Sequence, residues 1–157
     1  IVPFFRSLTG EEYPITDKRM TRFNISLSAG IDMVIEASKS DIGSEIFVPK
    51  IPSYRVVDLA KALNSNARLK FVGIRPGEKL HEEMITASDA ENTLDLGKYY
   101  AIFPHPDHES YQTYKERNKG TSISSDFSYN SYENEHYLTV DELKQWVEDY
   151  DNENTHA

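Results

Sequence analysis

The chain has 157 residues, of which 38% are hydrophobic and 27% charged, so it is long enough to form one domain with a hydrophobic core. It contains no cysteine, which excludes disulfides and thiolate metal sites, and its apolar runs are far shorter than the about 20 residues of a membrane-spanning helix. The net charge of −9 argues against nucleic-acid and membrane partners, because like charges repel.

Short helices and strands alternate along residues 1–103, which predicts α/β structure. Apolar periodicity, capping residues and breakers place helices at 4–8, 26–38, 53–63 and 78–85. They place strands at 14–16, 22–26, 45–50, 69–74 and 99–103, and turns at 41–43 and 75–77. These strands are too few for a complete doubly wound domain, so we expect a lobe that attaches to a sheet lying upstream.

Two of these helices have a recognisable cap or apolar face. Ser26 or Ser28 can cap the helix that ends near residue 38, and this helix carries Ile31, Val34 and Ile35 on one face. The apolar stripe of the helix at 53–63 is Val56, Leu59, Ala60 and Leu63.

The second half of the chain has a different character. Residues 104–137 are rich in Pro, His, Asp, Ser, Asn and Tyr with little periodicity, which predicts an irregular arm. Thr139 and Glu142 form a capping box for a terminal helix to about residue 150, followed by a frayed tail. We therefore divide the chain into a ligand-binding lobe at 1–103, the arm at 104–137, and a terminal helix and tail at 138–157.

The first 80 residues carry 12 basic and 9 acidic side chains. Two clusters of charged residues within them are candidates for binding an anion. Arg19 and Arg22 flank a threonine, and a guanidinium can donate two parallel bonds to phosphate. Arg75 precedes a Pro-Gly turn and a predicted helix, whose N-terminus would attract phosphate, and Glu78 could accept bonds from ribose hydroxyls. The alternative is solvated charge beside a tight turn.

Three other patterns are weaker. Tyr111 and Lys115 have the Tyr-x-x-x-Lys spacing of short-chain dehydrogenases, but they lie in the acidic arm, and we interpret the match as a coincidence. The seven glycines form no dinucleotide fingerprint, so no cofactor site is expected within this chain. His105 and His108 lack a third ligand at helical spacing, so we expect no metal site.

Four segments together resemble one family in order and spacing. They are PITD with RMTRF at 14–23, EIFVPKIPS leading into VDLAKAL at 45–63, GIRPGEKLHEEM at 73–84, and FSYNS near LTVDEL at 127–143. Nearly the whole chain resembles the C-terminal half of the inverting UDP-N-acetylglucosamine 4,6-dehydratases, in the polysaccharide-biosynthesis branch of extended short-chain dehydrogenases. Retaining dehydratases and epimerases share the Arg-Pro-Gly-Glu-Lys theme but differ at the second segment.

The resemblance implies the substrate-binding part of a Rossmann-type α/β fold whose cofactor-binding part is missing. It implies a UDP-sugar substrate and a tightly held NADP bound by that missing N-terminal part. The reaction implied is a lyase reaction: oxidation at C4, loss of water across C5–C6, and return of the hydride to C6 with inversion at C5. The product would be a 4-keto-6-deoxy-hexosamine for pseudaminic-acid-type glycans.

The resemblance also implies roles for particular residues. Arg22 and Arg75 would hold the diphosphate, Pro14, Ile15 and Thr16 would line the uracil, and Glu78 would face the ribose. No catalytic residue is assigned, because the family's glycine-rich loop, Tyr-x-x-x-Lys pair and nearby acid would lie upstream of position 1. If Arg22 and Arg75 lay on opposite faces, this assignment would lose its physical basis.

The chain begins without methionine or a secretory signal, so we expect a piece of a longer, cytoplasmic and homo-oligomeric protein, inactive by itself. Three alternatives remain open. The first is a fragment of a retaining UDP-sugar 4,6-dehydratase or a 4-epimerase, the second a non-catalytic nucleotide-sugar-binding module, and the third an acidic interaction domain.

Overall fold

The computed structural model describes residues 1–39, 43–118 and 120–154. Asp41 and Ile42 of the predicted turn lie outside the described residues. Over the described part the helices are α1 (Val2–Arg6), α2 (Leu27–Ala37), α3 (Val56–Leu63), α4 (Glu109–Asn118) and α5 (Val140–Asn154). The strands are β1 (Glu12–Ile15), β2 (Thr21–Phe23), β3 (Ile46–Pro49), β4 (Ser53–Arg55), β5 (Arg68–Phe71), β6 (Glu83–Ile85), β7 (Thr93–Asp95), β8 (Tyr99–Ile102), β9 (Thr121–Ser122) and β10 (Tyr129–Asn130).

The chain packs into two compact units, and each combines segments that are distant in the sequence. Unit 1 consists of Ile1–Asn24, Pro52–Glu82 and Ser131–Ala157, and unit 2 of Ile25–Ile51 and Glu83–Asn130. The structure therefore groups the residues differently from the consecutive division at 103 and 137.

Unit 1 is built from two pairs of strands and three helices around one core. Strand β1 pairs with β5 in parallel, and β2 pairs with β4 in antiparallel orientation. Helix α3 contacts both α1 and α5. The predicted stripe of α3 is confirmed, since Val56, Leu59 and Ala60 are buried and Leu63 packs against them. The core residues of this unit are Val2, Phe5, Tyr13, Ile15, Met20, Tyr54, Val56, Leu59, Ala60, Leu143 and Val147.

Helix α3 begins at Val56, so the prediction of a helix from residue 53 was wrong at its start. Ser53–Arg55 instead forms β4, because its backbone pairs with Thr21–Phe23. The Val56 N–H also donates to the Met20 carbonyl at 3.0 Å. Pairing between distant segments overrides the local helical signal here.

The terminal helix α5 has the predicted capping box. The Glu142 carboxylate accepts from the Thr139 N–H at 2.8 Å, and the Glu142 N–H donates to the Thr139 hydroxyl at 3.3 Å. The Thr139 hydroxyl also donates to this carboxylate at 2.8 Å, and the bonds that the carboxylate accepts from the Thr139 N–H and hydroxyl lower the pKa of Glu142. The helix continues past the predicted end near residue 150, because Arg6 forms an ion pair with Asp151 and lies over the Tyr150 ring.

Unit 2 contains a four-stranded antiparallel sheet in the order β3-β8-β7-β9, and a separate pair of β6 with β10. The prediction of an irregular arm at 104–137 was wrong, since this segment holds α4, β9 and β10. Tyr111 and Tyr114 of α4 pack against Phe103 in the core of this unit. The helix escaped prediction because most of its other positions are polar, which leaves little apolar periodicity.

Helix α2 is confirmed, and Ser26 caps it by accepting from the Ala29 N–H at 3.1 Å. Its predicted apolar face is uncovered by the described residues: Ile31, Val34 and Ile35 are 51%, 69% and 52% exposed. This helix therefore forms through its cap and propensity rather than through burial of that face.

Replacing Leu59, which is fully buried between α3 and its neighbours, should show how much unit 1 depends on its core. We expect Leu59→Ala to lower the free energy of unfolding by about 2–5 kcal/mol, because it leaves a cavity. Ile31→Ala removes a comparable side chain from the exposed face and should change stability by less than about 0.5 kcal/mol. Equal losses in urea titrations would contradict the assignment of this core.

Candidate functional site

Unit 1 contains a cavity of about 280 Å³ that brings together most of the predicted ligand-binding residues. Arg22 of β2 and Arg75 of the loop after β5 both line it, so they do not lie on opposite faces. Pro14, Thr16 and Glu78 line the same cavity. The apolar part of the wall is formed by Ile1, Phe4, Phe5, Met20, Val56 and Val72.

Ile15 is the predicted binding residue that the structure places elsewhere. Its side chain is fully buried in the core of unit 1 and does not line the cavity. Successive residues of a strand point to opposite faces, so Pro14 and Thr16 reach the cavity while Ile15 points away. The expectation that Ile15 lines the ligand is therefore corrected.

The loop after β5 is fastened to β1 through Glu78. The Thr16 hydroxyl donates to one carboxylate oxygen of Glu78 at 3.1 Å, and the Arg75 N–H donates to the other at 3.2 Å. Gly73 and Gly77 have φ values of +86° and +79°, which favour glycine, so the predicted turn at 75–77 is confirmed. The loop thus holds Arg75 and Glu78 beside Thr16.

The predicted helix at 78–85 was wrong, since this segment is a turn that leads into β6. The Leu80 carbonyl accepts from the Thr21 N–H at 3.2 Å, and the Lys79 carbonyl accepts from the Arg22 guanidinium at 3.0 Å. These carbonyls are therefore bound by β2 instead of by the next helical turn. No helix N-terminus is available at this loop, and any attraction for an anion must come from side chains.

Arg22 fastens the turn at 79–82 to β2. Its Nη1 donates to the carbonyls of Thr21 at 2.6 Å and Leu80 at 3.2 Å, and its Nη2 donates to Lys79. Its Nε lies 3.3 Å from a carboxylate oxygen of Glu82, and the side chain is only 15% exposed. Arg22 therefore contributes positive charge to the cavity, but most of its N–H groups already bind protein oxygens.

Arg75 differs from Arg22 in its surroundings. The residue is exposed, and its guanidinium forms no hydrogen bond or ion pair with any part of the chain that the structure describes. A guanidinium has five N–H donors, so Arg75 keeps its side-chain donors for a ligand. Arg22 thus stabilises the wall of the cavity, whereas the side chain of Arg75 is available to bind a ligand.

A chain of hydroxyl groups supports the same turn from its other side. The Ser131 hydroxyl accepts from the Glu82 N–H at 2.9 Å and lies 2.7 Å from the Thr21 hydroxyl, which lies 2.7 Å from Nδ1 of His81. Ser131 is fully buried and already accepts from the Glu82 N–H, so the chain is fully paired when Ser131 donates to Thr21 and Thr21 donates to an unprotonated Nδ1 of His81. This arrangement requires the neutral form of the His81 imidazole.

The surroundings of His81 agree with this protonation state. Partial burial lowers the pKa of His81 below its ordinary value of 6.5, and the charges of Arg19 and Arg22 lower it further. Sequence reasoning missed the partnership with Thr21 and Ser131, because the three residues come from separate segments and no local pattern connects them.

The Tyr-x-x-x-Lys match has a packing role in unit 2. The Tyr111 hydroxyl lies 3.0 Å from the Ser122 hydroxyl, and Lys115 donates to the same oxygen at 3.2 Å. The Tyr111 ring packs edge-on against Phe103 and is only 6% exposed. These contacts fasten α4 to β9.

Residues 1–39, 43–118 and 120–154 contain neither a metal-binding cluster nor a helix suited to a bilayer. No three His, Asp or Glu side chains among them gather into a group that could hold a metal ion. None of their helices has the length and apolar character needed to cross a bilayer.

Comparisons with known proteins agree on one family. The family described as "Polysaccharide biosynthesis protein" matches residues 1–104. A UDP-N-acetylglucosamine 4,6-dehydratase (inverting) of Campylobacter jejuni is 43% identical over 94% of this chain and 46% of its own length. A UDP-glucose 4-epimerase of Rickettsia canadensis is 32% identical over 92% of this chain and 44% of its own length. The chain spans about half the length of these relatives.

A solved structure shows the same fold. The X-ray structure of Pen from Bacillus thuringiensis matches with a TM-score of 0.77 and 25% identity, covering 96% of this chain and 46% of that protein. The α/β fold class predicted from the sequence is confirmed, as is the predicted resemblance.

Arg22 and Arg75 should differ when each is replaced by glutamine. Arg22→Gln should lower the free energy of unfolding by about 2 kcal/mol, because it removes the charge-assisted hydrogen bonds that the guanidinium donates to the carbonyls of Thr21, Lys79 and Leu80. Arg75→Gln should change it by less than about 0.5 kcal/mol, because the guanidinium contacts solvent. Urea denaturation of both variants measures the difference, and a loss of similar size in both would contradict the structural role of Arg22.

His81 should make stability depend on pH in a known direction. Its lowered pKa means that the unfolded chain binds its proton more tightly, so this stabilisation is complete above pH 6.5 and is lost as the pH falls below that value. In His81→Asn the amide oxygen can replace Nδ1 as an acceptor without titrating. We expect the drop in Tm between pH 7.5 and 5.5 to shrink in this variant, and to persist in the control His105→Asn.

Proposed function

Because the chain belongs to the polysaccharide biosynthesis protein family, we propose that it is the substrate-binding portion of a UDP-N-acetylglucosamine 4,6-dehydratase that inverts C5. The observation that carries this proposal is the shared cavity of Arg22 and Arg75, with Pro14, Thr16 and Glu78 on its wall. The 43% identity to the Campylobacter jejuni relative supports the choice of reaction.

The diphosphate of a UDP-sugar is the part that this cavity suits best. Arg75 can donate parallel hydrogen bonds to two phosphate oxygens, and the nearby charge of Arg22 adds attraction at short range. Each oxygen of the Glu78 carboxylate accepts one bond within the protein, and a carboxylate has about four acceptor positions. Two positions remain to accept bonds from ribose hydroxyls.

The apolar part of the wall suits the uracil. Pro14 and Val72 offer flat and aliphatic surface on the same wall as the charged groups, and ligand cavities commonly combine such surface with a few polar groups. In this proposal Ile15 supports the site indirectly, because it holds β1 in the core and does not contact the ligand.

The nicotinamide cofactor, which we propose to be NADP, does not fit the described residues of this chain. A dinucleotide site needs a glycine-rich loop between a strand and a helix, so that the pyrophosphate lies at the helix N-terminus. The loop with Gly73 and Gly77 follows the parallel strand β5 but leads into a turn and β6. We therefore assign no residue here to hydride transfer, and we propose that another part of the full protein holds the cofactor.

The 4-epimerase is a second candidate, since the Rickettsia canadensis relative is 32% identical over 92% of this chain. Incubating the complete gene product with UDP-N-acetylglucosamine and following the sugar by NMR separates the two. A 4-keto-6-deoxy product with inverted C5 supports the dehydratase, whereas a C4 epimer with its 6-hydroxyl intact supports the epimerase. No conversion, with UDP still bound, would leave a non-catalytic binding module.

The remaining parts of the proposal concern the setting of the enzyme. We place it in the cytoplasm as a homo-oligomer on the way to pseudaminic-acid-type glycans, and we propose that this chain alone does not turn over substrate.

Replacing Arg75 tests the proposed binding mode. We expect Arg75→Gln to weaken UDP binding by about 10–100-fold, because a charge-assisted hydrogen bond contributes about 1.5–3 kcal/mol. Isothermal titration of the complete gene product measures this loss. The control Arg68→Gln removes an exposed cation of β5 that lies 3.8 Å from Glu11, and it should keep the original affinity. Unchanged UDP affinity in Arg75→Gln would rule out this use of the cavity.

A further inference from the structure

Unit 1 has a second cavity, of about 610 Å³, that is separate from the first. No described residue lines both cavities. The wall of the second cavity consists mainly of cations and tyrosines: Lys18, Arg19, Arg55, Lys61, Tyr132 and Tyr137. Nothing in the proposed binding of a UDP-sugar uses these residues.

The charges around this cavity are unbalanced. Arg19 is occupied by Asp17, which accepts two bonds from its guanidinium at 2.8 and 2.9 Å. No carboxylate of the described residues lies within 4.0 Å of the charged groups of Lys18, Arg55 or Lys61. Asp58 adds a carboxylate to the wall but does not pair with these cations. In a chain of net charge −9, such a cluster creates a local positive potential that an anion would relieve.

Two of the groups on the wall are held in place. Arg55 lies opposite Thr21 in the β2–β4 pair, and its guanidinium lies 5.8 Å from the centroid of the Tyr137 ring. The Tyr137 hydroxyl in turn donates toward the carbonyls of Ser131 at 2.6 Å and Tyr132 at 2.9 Å. A cation fixed in this way loses little side-chain entropy when it binds a ligand.

Tyr132 gives the cavity an aromatic surface. It is 61% exposed, and its ring centroid lies 4.6 Å from that of His81. An exposed tyrosine with a supported ring is a platform on which any nucleobase can stack. Aromatic surface beside unpaired cations matches a ligand that has both a flat ring and phosphate groups.

We propose that this cavity is a second ligand site that binds a nucleoside phosphate, with its phosphates on Lys18, Arg55 and Lys61 and its base against Tyr132. The proposal does not depend on the proposed function, because the two sites use different residues. It implies that a full protein with Arg75 replaced still binds one nucleotide in unit 1.

The experiment is isothermal titration of the complete gene product with UDP, in saturating NADP so that a dinucleotide site is filled. All variants carry Arg75→Gln, which weakens the first site. The test variant adds Arg55→Gln and Lys61→Gln. The matched control adds Arg68→Gln and Lys70→Gln, which remove the same charge from cations of β5 that lie 3.8 and 3.6 Å from Glu11 and Glu12.

We expect one UDP per chain in the Arg75→Gln protein, at least tenfold weaker binding in the test variant, and a change below twofold in the control. Tyr132→Leu should weaken UDP while leaving the affinity for inorganic pyrophosphate unchanged. Absence of UDP binding in the Arg75→Gln protein, or equal effects of the test and control variants, would overturn the second site. Failure of the first site gives a different result, namely UDP affinity that Arg75→Gln does not change.

Discussion

The hydrogen bonds of Arg22 to the turn at 79–82 are the interaction on which the candidate site depends. By donating to the carbonyls of Thr21, Lys79 and Leu80, one guanidinium ties β2 to the segment that follows the Arg-Pro-Gly-Glu loop. A guanidinium can donate to several carbonyls at once while keeping its charge. The same side chain therefore shapes the cavity and makes it electropositive.

The opposite side of that turn depends on neutral groups. The hydroxyls of Ser131 and Thr21 and the ring of His81 form a chain of hydrogen bonds. The turn therefore lies between the Arg22 guanidinium and this hydroxyl network. Partial burial lowers the pKa of His81, and the charges of Arg19 and Arg22 lower it further, which favours the neutral imidazole. Arg22 and Arg75 thus place positive charge at the cavity wall in a chain that is acidic as a whole.

Family membership and geometry support different parts of the functional proposal. The relatives indicate which reaction to test, while the cavity supports the proposal that this chain binds the diphosphate end of the substrate. The chain covers 46% of the Campylobacter jejuni relative, and its described residues form the cavity of Arg22 and Arg75 but no glycine-rich loop between a strand and a helix. Substrate recognition and cofactor chemistry are therefore separable questions in this protein.

Local signals in the sequence were sufficient for α2, the stripe of α3, the capping box of α5 and the Gly-rich turn, because caps, apolar periodicity and positive φ act over a few residues. Of the six binding residues predicted from motif positions, five line one cavity. Strand β4 and the turn at 79–82 were mispredicted because partners far along the chain decide them, whereas helix α4 was missed because most of its positions are polar. Only the tertiary structure showed that Ile15 supports the site from the core, that Arg22 is largely occupied and Arg75 available, and that His81 joins a hydroxyl network. Those roles depend on which side chains are in contact in the folded chain, and residue type and spacing alone do not specify such contacts.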